Sequence, residues 1–258
     1  MKHAIHTSAK PSHYDKESKH YDSFNDENSK TINRTIEKIL KQNQVNTVLD
    51  LTCGTGSQVF WLAKRGFVVE GYDINSKMIT IANRKAKNAN FNIGFKKGDM
   101  RTTKAGKFDA VVTIFNAVGH LTKNDFEKAM RNIHANLNDK GLYIFDIFNL
   151  NYLLDSDNIT KLTIDFQKKS GKVTAREIQY STITHDGVLA SYDIYHEQTG
   201  VGKPKMSTAF QTLQVYNVKQ LKEMLKRNGF KVLRQCNVDG KKFHDKKSER
   251  VLMVAQRG

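Results

Sequence analysis

The chemistry legible in this chain begins at Val48-Leu49-Asp50-Leu51-Thr52-Cys53-Gly54-Thr55-Gly56-Ser57, where an apolar run ends in an acid and enters a glycine-rich turn. Glycines in such a turn let the main chain approach a ligand closely at the start of a helix. A dinucleotide loop requires a third glycine where Val59 stands, and no Gly-Lys-Ser/Thr of a P-loop is present. The loop therefore suits a ligand without a pyrophosphate. Gly-x-Gly alone would be no more than a tight turn, but further pieces follow in order. Asp73 ends the next apolar run, where an acid can hold ribose hydroxyls. Gly98-Asp99-Met100 follows the third run, where a polar side chain and a main-chain amide can read an adenine edge. Ligands of open α/β sheets bind at these carboxyl ends.

The elements that must position these residues follow from periodicity. Ile32, Ile36, Ile39 and Leu40 predict a helix over 29–42. Short apolar strands are expected at 45–51, 67–73, 91–95, 108–115 and 142–148. Helices fall between them, capped by Ser57 and by Ser76, and a further one spans 124–136. This alternation means βαβ units and a parallel sheet covered on both faces, a doubly wound Rossmann-like layer. After residue 149 the pattern becomes alternating apolar and polar runs (162–166, 172–184, 189–196) joined by Lys-Ser-Gly-Lys and His-Asp-Gly turns, which predicts antiparallel strands. A helix over 218–228 stops at Gly229, and strands at 230–236 and 251–255 complete an antiparallel hairpin. The expected fold class is α/β, with an inserted antiparallel β subdomain. Its parts are a flexible arm or lid at 1–28, the α/β domain at 29–150, the insertion at 151–216 and a return to the α/β domain at 217–258.

Taken together, these pieces resemble the class I S-adenosylmethionine (SAM)-dependent methyltransferases. Val48 to Gly56 is similar to the family's first motif, with Thr52 where glycine is commoner. Gly71-Tyr72-Asp73-Ile74-Asn75-Ser76-Lys77-Met78 resembles the second, Gly98-Asp99-Met100 the third, and Phe108-Asp109-Ala110-Val111-Val112 the fourth. Leu137-Asn138-Asp139-Lys140-Gly141 matches the family's Leu-x-Pro-Gly-Gly turn, with Asp and Lys replacing Pro and the first Gly. The resemblance implies SAM as cofactor, with S-adenosylhomocysteine as product. Asp50, Thr52, Gly54 and Gly56 would line its methionine part. Asp73, beside Ile74, would bind the ribose, Met78 would pack near adenine, and Asp99 would bond the adenine amine with Met100 beside it. Phe115 would face the sulfonium. Met78, at helical spacing with Ile79 and Ala82, reads equally as core.

The segment Asn116-Ala117-Val118-Gly119-His120-Leu121 resembles the equivalent stretch of glycine and sugar-amine N-methyltransferases, as does Tyr21-Asp22 in the N-terminal arm. A second tyrosine that some of those relatives carry four residues later is Asn25 here. His120 is the candidate base or substrate orienter, and a histidine merely bonded to a neighbouring carbonyl is its plain alternative. Tyr14 and Tyr21 join it as candidate catalytic groups, with packing of a lid as their alternative. Asn116, Asp146 and Asn149 are expected to bind the acceptor, although strand-end polar residues often bond loop amides instead.

Composition narrows the acceptor. With two Pro and two Cys, the chain lacks the Pro-Pro pair typical of exocyclic base-amine methylation and the Pro-Cys of pyrimidine C5 methylation. The same Cys count leaves no disulfide framework and no Cys-rich zinc site, and no metal is expected. The net charge of +16 favours anionic partners, but Lys outnumbers Arg by 32 to 10, which fits solvated surface better than base readout. No run approaches a membrane span, the first residues lack a signal peptide's apolar stretch, and His3, His6, His13 and His20 lie in a polar arm. A cytoplasmic monomer or homodimer is expected. Its reading is methyl transfer to N or O of a small-molecule acceptor, with an acidic or phosphorylated one as an option. An RNA methyltransferase with a lysine-rich surface and a non-catalytic SAM-binding protein are the alternatives.

Overall fold

The computed structural model describes the backbone of residues 4–15, 21–155, 161–170 and 173–258, and the side chains of 4–15, 29–155 and 173–258. The elements in chain order are α1 (Tyr21–Gln42), β1 (Thr47–Asp50), α2 (Ser57–Ala63), β2 (Val68–Asp73), α3 (Ser76–Asn88), β3 (Gly94–Lys97) and β4 (Phe108–Thr113). A 3₁₀ turn (Ala117–His120) follows, then α4 (Lys123–Asn136), β5 (Leu137–Phe148), α5 (Leu150–Leu154), β6 (Lys161–Ser170), β7 (Val173–Ile183), β8 (Val188–Thr199) and β9 (Lys205–Gln214). The last elements are α6 (Val218–Arg227), β10 (Phe230–Cys236) and β11 (Arg250–Arg257).

Alternate residues of each central strand enter different cores. Val48, Val69, Val112, Ile144 and Val254 face α1, α2 and α3, where Ile36, Leu62 and Ala82 meet them. Leu49, Val111, Phe145 and Met253 face α4 and α6, where Phe126, Met130, Leu221 and Leu225 meet them. Strands buried on both faces need the continuous apolar runs seen in this sequence. The seven strands are ordered β10-β11-β5-β4-β1-β2-β3. β1 pairs in parallel with both β2 and β4, so the connection order reverses at β1 and opens a crevice at the carboxyl ends of these strands. β11 runs antiparallel between β5 and β10, as the closing hairpin predicts.

Several details depart from the sequence expectations. α1 begins at Tyr21, a full two turns before the expected start. α2 takes Gly56 as its cap, in a left-handed conformation (φ 94°) without a side-chain bond, rather than Ser57. α3 is capped by Asn75, whose Oδ1 accepts from the Lys77 and Met78 amides, rather than by Ser76. The second sheet has four strands, β6-β7-β8-β9. Its β9 went unrecognised because six of its ten residues are exposed, so no apolar alternation marks it. The Lys-Ser-Gly-Lys turn falls in part outside the described residues. In this sheet Leu189, Leu213 and partly buried Ile183 join the main core, fastening one end of it to the α/β layer.

Candidate active site

The acids and glycines of the first two motifs converge by short-range bonding. Asp50 ends β1 fully buried, and its Oδ1 accepts the Thr52 amide at 3.0 Å. Asp73 ends β2, where one carboxylate oxygen accepts the Gly54 amide (2.9 Å) and the other the Asn75 amide (2.8 Å). The carboxylate of one motif thus fixes the glycine turn of the other. At Gly56 a Cβ would come within 2.7 Å of the Phe60 ring and 2.9 Å of Phe95, so the positive φ and the lack of space both demand glycine. Asp50 Oδ2 and Thr52 Oγ1 are buried with no partner beyond the contact between the Asp50 and Thr52 side chains. Burial, opposed by the Thr52 amide but reinforced by the nearby Asp73 charge, pushes the Asp50 carboxyl up to about 7. Such a group favours a cationic ligand atom beside it.

The adenine-side residues are partly committed elsewhere. The Asp99 amide donates to Thr103 Oγ1 at 2.8 Å, so it is not left to read a base edge. Both Asp99 carboxylate oxygens bind Arg101, which reaches Asp125 at 2.5 Å with its other arm. Burial acts to raise the Asp99 carboxyl, but Arg101 outweighs it and holds the group below its usual range. Oδ1 also accepts the Arg101 amide (2.9 Å), so each Asp99 oxygen already receives two bonds from Arg101. Met78 is buried, Ile74 is half-buried, and Met100 packs partly buried against the main core.

At the end of β4 the backbone turns through two consecutive left-handed residues, Phe115 (φ 61°) and Asn116 (φ 59°). Asparagine tolerates this conformation, whereas for Phe115 it costs about 1–3 kcal/mol. Surrounding bonds hold the turn. Asp146 Oδ1 accepts the Phe115 amide at 2.7 Å, and Asn116 Oδ1 accepts the Phe148 amide at 3.1 Å. Asp146, fully buried, also pairs with Arg250, whose guanidinium lies 6.0 Å from the Phe115 ring centre and 5.7 Å from that of Phe148. Asn149, also fully buried, donates to the carbonyls of Asp245 and Ser248. Asp146 and Asn149, expected to bind the acceptor, thus spend these atoms on main-chain and Arg250 groups. One carboxylate braces the strained turn and the carboxamide braces a loop, because both strand ends must satisfy main-chain groups as the strands stop.

The arm is not a free tether over its described length. The Ala9 amide donates to the His120 carbonyl (2.9 Å), Ser8 Oγ donates to Asp125 (2.6 Å) and accepts from the Thr122 amide (3.0 Å). Asn75 Nδ2 donates to the Pro11 carbonyl and to Asp15, both at 2.9 Å. His6 Nδ1 lies 2.9 Å from Thr212 Oγ1 of β9. These bonds carry Tyr14 to His120, with the hydroxyl and Nε2 2.6 Å apart and the His13 ring centre 5.0 Å from that of His120. Burial, with His13 and His6 close by, pushes His120 down to about 3, so its imidazole is neutral near pH 7. Its Nδ1 is buried without a partner. The side chain of Tyr21 lies outside the described residues.

Asn75, Arg101, Asp125 and Arg250 were not singled out from sequence. Asn75 had a local signal, since Asp-x-Asn before a helix is a capping pattern. Arg250 had none, because its partner lies 104 positions away. Among the described residues no group of three or more His, Cys, Asp or Glu is placed to hold a metal, and no helix is long and apolar enough to cross a membrane.

Comparison with known proteins agrees with this fold. Residues 48–141 match the family model described as a methyltransferase domain. YqeM of Bacillus subtilis (strain 168), described as a methyltransferase, is 37% identical over 103 residues, which cover 39% of this chain and 41% of that one. The glycine/sarcosine N-methyltransferase of Parasynechococcus marenigrum (strain WH8102) is 30% identical over 168 residues, covering 64% and 58%. The chain thus spans less than two thirds of the length of either. The solved structure of SAM-bound CalS10, an amino pentose methyltransferase from Micromonospora echinaspora, superposes with a TM-score of 0.70 over 99% of this chain and 100% of that one, at 17% identity, and shares the fold. With the motif order, the sheet and the matched domain in agreement, residues 48–141 form a methyltransferase domain, and the chain is similar to the class I SAM-dependent methyltransferases, their small-molecule N-methyltransferases among them.

Proposed function

We propose that this protein transfers a methyl group from SAM to a nitrogen or oxygen of a small-molecule acceptor. The observation that carries this reading is the pair of half-sites meeting at the end of β4. On one side lies the cradle of Asp73, Gly54 and Gly56, and on the other the His120–Tyr14 pair. The residues fit the cofactor. Asp50 Oδ2 and Thr52 Oγ1, buried with no partner beyond each other, suit the ammonium of its methionine part, and Gly56, in a left-handed conformation, shapes the turn beside them. When bound, SAM supplies an activated methyl on a sulfonium. Asp73 and Ile74 would hold the ribose, Met78, Asp99 and Met100 the adenine, and Phe115 the wall by the sulfonium.

The chain's own groups then orient the acceptor. Transfer requires an unprotonated lone pair aligned with the methyl, so positioning carries much of the rate. His120, neutral and held by Tyr14, is suited to orient the acceptor, since an imidazole pushed down to about 3 is a weak base, and Tyr21 is a further candidate. Asn116 shapes the pocket floor, and Asp146 and Asn149 act through the turn and loop they brace. Residues 1–28 serve as the lid, and the 151–216 insertion walls the pocket, a reading supported by the His6–Thr212 bond.

The test is a mass-shift screen of small amines, amino acids, amino sugars, acidic and phosphorylated amines, and RNA, each incubated with protein and SAM. A 14-Da gain, the mass of about one CH₂, on a small amine or hydroxyl is the expected result. Methylation confined to RNA would replace this reading with that of an RNA enzyme. SAM binding without transfer to any acceptor would make the protein a cofactor-binding module.

A further inference from the structure

β10 forms one end of the seven-stranded sheet; among the described residues its one strand partner is β11, and its last residue, Cys236, also bridges Lys242. A strand in that position offers a row of main-chain N–H and C=O groups to another chain. Beside it runs α6, and the two elements enclose an open groove of about 680 Å³. Lys222 and Lys226 line it from the helix, and Lys231, Val232, Leu233 and Arg234 line it from the strand; no lining residue is acidic. Arg234 donates one bond to the Gly240 carbonyl, leaving further donors on its fork. Leu233 sits at a β-bulge between Val232 and Arg234, with 44% of its surface open.

Lysines on an edge strand discourage aggregation, and that accounts for Lys231 and Arg234. It does not account for two more lysines arriving from the helix on the same rim, nor for a bulged leucine left open between them. We infer that this groove docks an acidic, extended segment of a partner protein. The segment adds as a strand along β10, sets an apolar side chain against Val232 and Leu233, and directs its carboxylates to the four cations. A single-stranded nucleic acid fits less well. The floor is aliphatic, and its one ring, Phe230, is 4% exposed, which leaves no face for a base to stack on. Because β11, β5 and β4 separate β10 from β1, docking here does not occupy the cofactor crevice.

The test uses the whole chain and fluorescence anisotropy with three labelled probes: an alternating Glu-Leu peptide, an alternating Lys-Leu peptide and an oligouridylate. The expected result is saturable binding of the Glu-Leu peptide that weakens between about 50 and 300 mM salt. The pair Lys222→Glu and Lys226→Glu should weaken it at least about tenfold, with cofactor affinity unchanged. If that pair fails to fold, Lys222→Gln with Lys226→Gln should weaken it about threefold. Absence of saturable binding, an affinity indifferent to these changes, or tighter binding of the oligouridylate would overturn the inference.

Discussion

The two halves of the proposed site are built in opposite ways. On the cofactor side most bonds join residues close in sequence or in adjacent motifs: Asp50 to Thr52, Asp73 to Asn75 and Gly54, Asn75 to Met78. On the acceptor side the bonds join residues far apart in sequence: Tyr14 to His120, His6 to Thr212, Asp146 to Arg250, Asn149 to the 245–248 loop. Local bonding makes a half-site that one motif can specify and that is therefore recognisable in sequence. Long-range bonding makes a half-site whose shape depends on the whole fold and can change with an insertion or an arm while the cofactor loop stays fixed.

If this contrast is sound, the largest effect on stability belongs to a long-range bond. Asp146→Ala leaves Arg250 without its partner and frees the Phe115 turn, and should cost about 3–5 kcal/mol in urea unfolding. A loss below about 1 kcal/mol would show that the long-range half carries little of the fold. Turnover comes next. His120→Ala should lower methyl transfer about a hundredfold or more while leaving SAM affinity nearly unchanged. Loss of SAM binding in this variant would mean that the two halves are not separable. On the cofactor side, Asp73→Ala should weaken SAM binding at least about tenfold by calorimetry, or roughly 1.4 kcal/mol. Unchanged affinity would remove Asp73 from the site.

The smallest effect is a proton count. With its carboxyl raised to about 7, Asp50 is roughly half protonated near neutral pH. An ammonium beside it favours the carboxylate, so SAM binding at pH 7 should release up to about half a proton. The release would appear as a binding enthalpy that varies with the buffer, and Asp50→Asn should abolish it. Linkage has a definite sign here. Because the folded value lies above the unfolded one, the Asp50 contribution to stability is complete below about pH 4 and is lost as pH rises through about 7.

Legibility followed the same division. Alternation of apolar runs and helical periods predicted the parallel layer and the closing hairpin, because strands buried on two faces leave little freedom in residue type. Asp50, Gly54, Gly56 and Asp73 were legible because each serves its immediate neighbours. β9 was not, since an exposed strand borrows its order from β8 through main-chain pairing and shows no apolar pattern of its own. The fastening of the arm was hidden for a related reason. Ser8, Ala9 and Pro11 contribute ordinary donors and acceptors, and only the fold brings Asp125, His120 and Asn75 to meet them.

The interior position of β11 has a consequence for synthesis on the ribosome. Residues 48–141 emerge as one continuous stretch, and the cofactor loops can assemble as soon as β1, β2 and β4 have left the exit tunnel. β5 must then wait for Arg250–Arg257, about a hundred residues later, before its second rim is paired. During that interval Ile144, Phe145 and Ile147 sit on a strand with one open side, so the nascent chain passes through a period of exposure to misassembly. The same delay means that Arg250, the partner of the Asp146 carboxylate that braces the Phe115 turn, arrives after the cofactor loops have emerged. A fusion that crowds β11 would therefore damage the acceptor half before it touched the cofactor half.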